Sequence, residues 1–150
     1  MIKVQQQDFN QQVEYDSLRQ SSRTGAVVTF TGLVRDINQG EQISTLTLEH
    51  YPGMTEKSLI EIVEQAKARW SIIDVRVIHR IGKLQLLDQI VFVGVASLHR
   101  GDAFAACEFI MDHLKTGAPF WKKETNHLGE SYWVDARECD QNALKKWGFK

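Results

Sequence analysis

The sequence predicts an α+β fold, and three observations carry that prediction. Strand-like and helix-like segments are mixed without a regular βαβ rhythm. Gln89 to Leu98 is nearly all apolar, as a central strand buried on both faces has to be. Behind Pro52-Gly53, the residues Leu59, Ile62, Val63, Ala66 and Trp70 recur at helical spacing, while Glu56, Lys57, Glu61, Glu64 and Lys67 cover the other face. A mixed or antiparallel sheet with flanking helices satisfies all three.

Taken in order, residues 2 to 5 read as a short strand. Asp8 is a candidate cap for a helix reaching Arg19, with Phe9, Val13 and Leu18 toward the core. Gly25 to Val34 is rich in β-formers. Gly40 marks a turn. Ile43 to Tyr51 alternates, with Ile43, Thr45, Thr47 and Glu49 opposing Leu46, Leu48 and His50. The strong helix follows, with Thr55 as its candidate cap. Ile72 to Ile81 is the next strand, with Ile73, Val75, Val77, His79 and Ile81 on one face. Beyond the central strand, Asp102 is a candidate cap for a helix to Thr116, with Phe104, Cys107, Met111 and Leu114 inward. Gly117 stops it and Pro119 follows. Pro119 to Glu124 and Tyr132 to Val134 pair as a hairpin around Leu128-Gly129, and a last helix covers Glu138 to Trp147.

Length and composition bound the function. The 150 residues suit one domain spanning 1–150, with no linker dividing it. Eighteen basic and nineteen acidic residues leave a net charge of -1, which excludes a polybasic tail and gives no pull toward nucleic acid. Four tryptophans, three of them near basic residues, are a weak argument for base stacking without an RNA motif. Two cysteines, Cys107 and Cys139, cannot build a disulfide framework or a four-thiolate zinc site. The longest apolar run is far short of a membrane span, so neither membrane nor secretory targeting is expected, and the cytoplasm is the expected location.

Four clusters carry possible chemistry. His99-Arg100-Gly101-Asp102 stands where a buried strand ends and a helix begins, so free amide N–H groups and two basic side chains favour an anion. Lys115, Lys122 and Lys123 bracket a Gly-Ala-Pro connection, with no acid between His113 and Lys123. A lysine leaning on apolar surface beside other cations is a usable base or nucleophile. Arg35 follows a strand-end glycine and suits a phosphate or carboxylate, though a surface arginine opening a loop reads the same way. Glu49 and His50 fall on opposite strand faces, which argues for a structural turn over a metal site. His79 reads as a satisfied core histidine, and both cysteines as structural.

These stretches together resemble the molybdopterin synthase catalytic (large) subunit family. The resemblance rests on Gly25 to Gly32 with Val34-Arg35, on Leu46 to Lys57, and on Val77 to Gly82. It continues through Ile90 to Val95, His99-Arg100, Phe109 to Asp112, and Leu114-Lys115-Thr116 through Ala118 to Lys122. It runs from about residue 25 to 147, and residues 1–24 match little. It implies an α+β fold with an α/β-hammerhead region. It implies conversion of cyclic pyranopterin monophosphate (precursor Z) into molybdopterin by insertion of two dithiolene sulfurs. The sulfur is delivered by a small ubiquitin-like carrier subunit with a C-terminal Gly-Gly thiocarboxylate, docked at each end of a homodimer to give a heterotetramer. Lys115 and Lys122 match the family's active-site lysines. His99 and Arg100 match its substrate-binding pair, reaching the pocket from the other subunit of the dimer. Leu33, Val34 and Arg35 match another substrate segment, and Lys123 and Glu124 continue the stretch after Lys122. The basic residues are thereby expected to converge on one anionic substrate. The sequence departs from the family pattern at Leu33 and Gly117, where basic residues are frequent. No metal or cofactor is expected. Because the carrier supplies sulfur, neither Cys107 nor Cys139 needs to hold it.

Overall fold

The computed structural model describes residues 1–38, 41–134 and 142–148. In chain order the elements are β1 (Ile2–Gln5), α1 (Gln11–Ser17), β2 (Ala26–Leu33), β3 (Ile37–Asn38), β4 (Glu41–His50) and α2 (Met54–Arg69). They continue with β5 (Ile72–Arg80), β6 (Gly82–Gln85), β7 (Gln89–Ser97), α3 (Arg100–Gly117), β8 (Phe120–Asn126) and β9 (Ser131–Val134). Residues 142–147 are helical, ending in a 3-10 turn at Lys145–Trp147. The expected turn at Gly40, the start of the last helix at Glu138, and Cys139 lie outside the described residues.

The apolar run of β7 builds the first sheet, ordered β1-β5-β7-β2. From Val91 to Ser97 every residue of β7 is buried, because core lies on both faces. On one face α2 and α3 pack Leu59, Ile62, Val63, Phe109 and Ile110 against Val75, Val77 and Val93. On the other, α1 and its flanks bring Phe9 and Leu18 onto Ile78, Phe92 and Ala96. The second sheet is ordered β3-β4-β8-β9, with β6 also paired to β4. Its apolar side gathers Val34, Leu46, Leu48 and Leu84. Two strand layers with helices on the first confirm the α+β reading.

Two β-bulges overturn the expected alternation. In β4, Ile43 pairs with Asn126 and Thr45 with Thr125, so Ser44 is an extra residue. Its hydroxyl donates to the carbonyls of Thr125 and Asn126. The phase flips there, and Ile43 is buried with Leu46 and Leu48 rather than opposing them. In β5 the register shifts between Ile72 and Asp74. Ile73 therefore joins the α1 side of the sheet, while Ile72 packs with Val75 and Val77.

The caps also differ from the sequence expectation. Asn10, not Asp8, caps α1, its side chain accepting from Val13 N at 3.2 Å. Asp8 instead accepts from Phe9 N and from Gln89 Nε2. The helix is short, so Val13 points to solvent while Phe9 and Leu18 on either side are buried. Gly53 precedes α2, with its N–H donating to Glu56 Oε1 at 3.2 Å. Thr55 lies inside the first turn, fully buried, with its hydroxyl donating to Tyr51 O. His99 precedes α3 and Asp102 is inside the first turn, where it accepts from Ser71 N. Phe104 is exposed rather than inward, and Ala103 and Ala106 take its place in the core. The short strands β3 and β6 had no sequence signal long enough to read.

Candidate active site

β7, the turn at Leu98-His99 and α3 form one strand-turn-helix unit, so α3 runs back along the sheet beside β2. Gly25, Ala26 and residues 98–101 border one open pocket at the start of α3. Gly25 is required there, since a β-carbon would collide with the Leu98 carbonyl. Further along, Val28, Thr29 and Phe30 of β2 face Phe104, Met111 and Lys115 of α3 across a groove of about 430 Å³. The residues that follow β2 thus lie toward the Lys115 end of α3.

That end gathers the lysines. Lys115 occupies the last turn of α3, where a cation is favoured by the helix dipole, and it is exposed at the end of the groove. Gly117-Ala118-Pro119 then turns the chain into β8. On β8, Phe120, Lys122 and Glu124 share one face by strand alternation, and Trp121 and Lys123 share the other. Phe120 stacks on His79 of β5 with ring centroids 3.8 Å apart. His79 is buried, and its Nδ1 lies 2.8 Å from the Arg80 carbonyl, so that nitrogen carries the proton. Burial pushes the His79 pKa down to about 4, and the charges of Lys122, Lys115 and His50 push the same way. The core histidine expected from the sequence is therefore held neutral, within electrostatic reach of both lysines.

The other predicted residues are distributed as follows. Leu33 is exposed at the end of β2, opposite a bulge in β7 that skips Ile90. Val34 is buried, and its backbone is already engaged: its N–H donates to Asp88 O and its carbonyl accepts from Leu87 N. This lock leaves Arg35 projecting as an exposed residue. Glu124 is buried on the Lys122 face. Lys123 lies on the opposite face, with its Nζ 5.6 Å from the Trp133 ring centroid. His99 and Arg100 stand at the first turn of α3, and the His99 side chain makes no capping hydrogen bond. Fifteen residues of helix at 1.5 Å each put Arg100 about 22 Å from Lys115. Within one chain the basic residues form two groups, not one.

His50 was missed. Sequence reading set it in a structural turn, but β4 pairs it with Phe120, next to His79. Its Nδ1 is buried without a partner among the described residues. The alternation of Leu46, Leu48 and His50 gave its face; only the β4–β8 pairing gives its neighbours. Cys107 lines the groove near Lys115, with Sγ 3.8 Å from Val93 O. Burial, with help from Glu108, pushes its thiol up to about 12, so it is a poor thiolate. Among the described residues, no three His, Cys, Asp or Glu side chains are grouped to hold a metal. No helix among them is long and apolar enough to cross a membrane.

A protein in which basic side chains are displayed at both ends of one helix, over a two-sheet α+β frame, is of the anion-handling class. Comparison with known proteins makes the class specific. The family described as MoaE protein matches residues 4–117. The molybdopterin synthase catalytic subunit of Vibrio cholerae serotype O1 is 58% identical over 146 residues, covering 97% of each chain. The solved MoaE protein of Burkholderia ambifaria MC40-6 superposes with a TM-score of 0.85 at 50% identity, covering 100% of this chain and 99% of that one. The solved molybdopterin synthase of Staphylococcus aureus superposes with a TM-score of 0.80 at 34% identity, covering 88% and 95%. The chain belongs to the MoaE family. Its place is molybdenum cofactor biosynthesis, as an enzyme of the molybdopterin synthase catalytic-subunit type.

Proposed function

We propose that this chain, acting as one catalytic domain over residues 1–150, converts cyclic pyranopterin monophosphate into molybdopterin at the Lys115–Lys122 end of α3. The sulfur arrives as the C-terminal thiocarboxylate of a small ubiquitin-like carrier. Substrate phosphate and carrier thiocarboxylate are both anions, so the site needs several cations where water is partly excluded. Lys115 acts closest to the chemistry, as general base or as acceptor of the carrier's acyl group. Lys122 orients the carrier tail or stabilises developing charge. Arg35 contributes from the segment locked by Val34, and Lys123 and Glu124 complete the binding stretch on β8. The enzyme works in the cytoplasm.

The observation that supports this reading most is that Lys115 and Lys122 both act electrostatically on one buried, uncharged imidazole. The separation of His99 and Arg100 from them supports a shared site. A homodimer lets the first turn of α3 from one subunit meet the lysines of the other, and a carrier at each end gives a heterotetramer. The groove beside Lys115 is open and partly apolar, which suits an extended, glycine-ended tail.

The test is reconstitution. Purified chain, thiocarboxylated carrier and cyclic pyranopterin monophosphate are mixed and assayed for molybdopterin. Product from the parent, and none from a folded, carrier-binding Lys115→Ala variant, is the expected result. No product from folded, carrier-bound parent protein overturns the reading.

A further inference from the structure

The C-terminal stretch 142–148 folds back onto α2 and α3. Leu144 is buried, and the Trp147 ring packs edge-on against Trp70 and Phe109, 5.5 Å from each centroid. Arg69 Nη1 donates to the Trp147 carbonyl at 3.0 Å. Two further contacts fall on acids of α3. The Trp147 indole donates to Asp112 Oδ2 at 2.7 Å. Lys146 pairs with Glu108 Oε1, and its Nζ lies 3.6 Å from Asp112 Oδ2. Asp112 is the more enclosed of the two acids, with a side chain 16% exposed against 56% for Glu108.

These acids share the helix face of Lys115. Positions 108, 112 and 115 are spaced four and three apart, and all three line the groove. On a bare helix an aspartate and a lysine at i and i+3 attract each other. Here the Asp112 carboxylate is held by the indole and the Lys146 ammonium, and among the described residues Lys115 forms no ion pair. Of the other ionisable groups at this end, His79 and His50 from the strands and Lys122 from β8 carry no negative charge, and the one further acid named on the Lys122 face, Glu124, is buried on β8 rather than on the helix face of Lys115.

We infer that the C-terminal stretch is a positioning element for the sulfur-transfer site: by holding Asp112 and Glu108 it leaves the Lys115 amine unpaired and directed to substrate. The inference rests on the role given to Lys115 above. It adds Asp112, Lys146 and Trp147 as residues that act through Lys115 without touching substrate. It also gives a reason for a carboxylate one helical turn from a lysine meant to meet two anions. The acid serves as the anchor for the tail, and the tail in turn masks its charge.

The test uses the full chain with its carrier. The variant Lys146→Met/Trp147→Phe keeps an aromatic ring in place but removes both donors to Asp112. Two quantities are read: synthase turnover, and the rate at which trinitrobenzenesulfonate labels Lys115, located by peptide mass spectrometry. Both should fall about two- to fivefold as Asp112 captures the amine. Adding Asp112→Asn to the same variant should restore both, because no charge remains to capture it. Lys146→Met alone, which leaves the indole contact intact, should move both in the same direction by less. Unchanged labelling and turnover overturn the inference, as does a loss that Asp112→Asn fails to restore, since the tail would then only support the fold. If labelling follows the expected pattern while Lys115→Ala keeps full synthase activity, the masking stands and the catalytic role of Lys115 falls.

Discussion

At its first turn α3 presents backbone amides beside His99 and Arg100; at its last turn it presents a lysine beside a second lysine and a buried histidine. Both ends are suited to anions, by different means. The first uses the positive end of the helix and its unsatisfied N–H groups. The second uses side-chain charge, placed where the negative end of the helix stabilises it. The first end borders an open pocket, whereas the second opens onto a groove walled by β2 and floored by core side chains. The difference suggests a division of labour. Backbone amides hold a fixed anion, while lysines can also move a proton or accept an acyl group.

The largest expected effect separates the two ends by chemistry. Lys115→Ala should lower synthase turnover by about 10²–10⁴-fold while dimerisation and carrier binding persist. Arg100→Ala should chiefly raise the substrate KM, as loss of an anion contact does. If the two variants gave the same kinetic signature, the assignment of binding to one end and chemistry to the other would fail.

A complementation test then asks whether the ends meet between subunits. At substrate well below KM, where Lys115→Ala and Arg100→Ala chains are each impaired, the two are mixed under conditions that exchange subunits. Half the dimers are mixed, and each mixed dimer has one intact site of two. Activity should therefore recover to about a quarter of the parent level. Recovery no greater than the sum of the two separate variants would mean that each site is built within one chain.

Much of this contrast was legible in the sequence, and the reason is physical. Strand β7 and helices α2 and α3 have long, regular apolar patterns that dominate their packing. Lys115, Lys122, His99 and Arg100 are visible because they flank a glycine-proline turn and a strand-to-helix junction. What failed was phase. The extra residues Ser44 and Ile73 each reverse the alternation of their strands, and nothing in their side chains announces a bulge. Caps slipped by two or three residues because Asp8, Thr55 and Asp102 are good capping types used instead for other hydrogen bonds. His50 and the Trp147–Asp112 contact depend on pairing across long stretches of chain, which one sequence does not record. The expected convergence of all the basic residues also needed the length of α3 to be measured against it.

A smaller effect probes the buried histidine of the lysine end through stability. His79 has an ordinary pKa of 6.5 when unfolded and about 4 in the fold. The fold holds it neutral, so below pH 6.5 the unfolded chain takes up a proton that the native state refuses. Its contribution is fully present above pH 6.5 and is lost progressively as pH falls toward 4, reaching about 3 kcal/mol. Urea unfolding across that range should show the slope, and His79→Gln should flatten it. The first end of α3 has no comparable buried group among the described residues, so His99→Gln should leave the slope in place. A slope untouched by His79→Gln would mean that the acid sensitivity lies elsewhere.

The smallest effect expected concerns Cys107, the one thiol among the described residues, which lines the groove about two helical turns from Lys115. Cys107 is 4% exposed and sits in the α3 core with its pKa pushed up to about 12. Sulfur carried on a protein as a persulfide needs an accessible thiolate, which this environment disfavours. Cys107→Ser should therefore keep dithiolene synthesis, with a modest loss of stability, since a hydroxyl replaces a small apolar sulfur at a buried position. The native thiol should also resist iodoacetamide until the chain is unfolded. Loss of product in a folded, carrier-binding Cys107→Ser protein would put a sulfur-carrying thiol at the lysine end. The contrast between the two ends would then rest on sulfur handling as well as on charge.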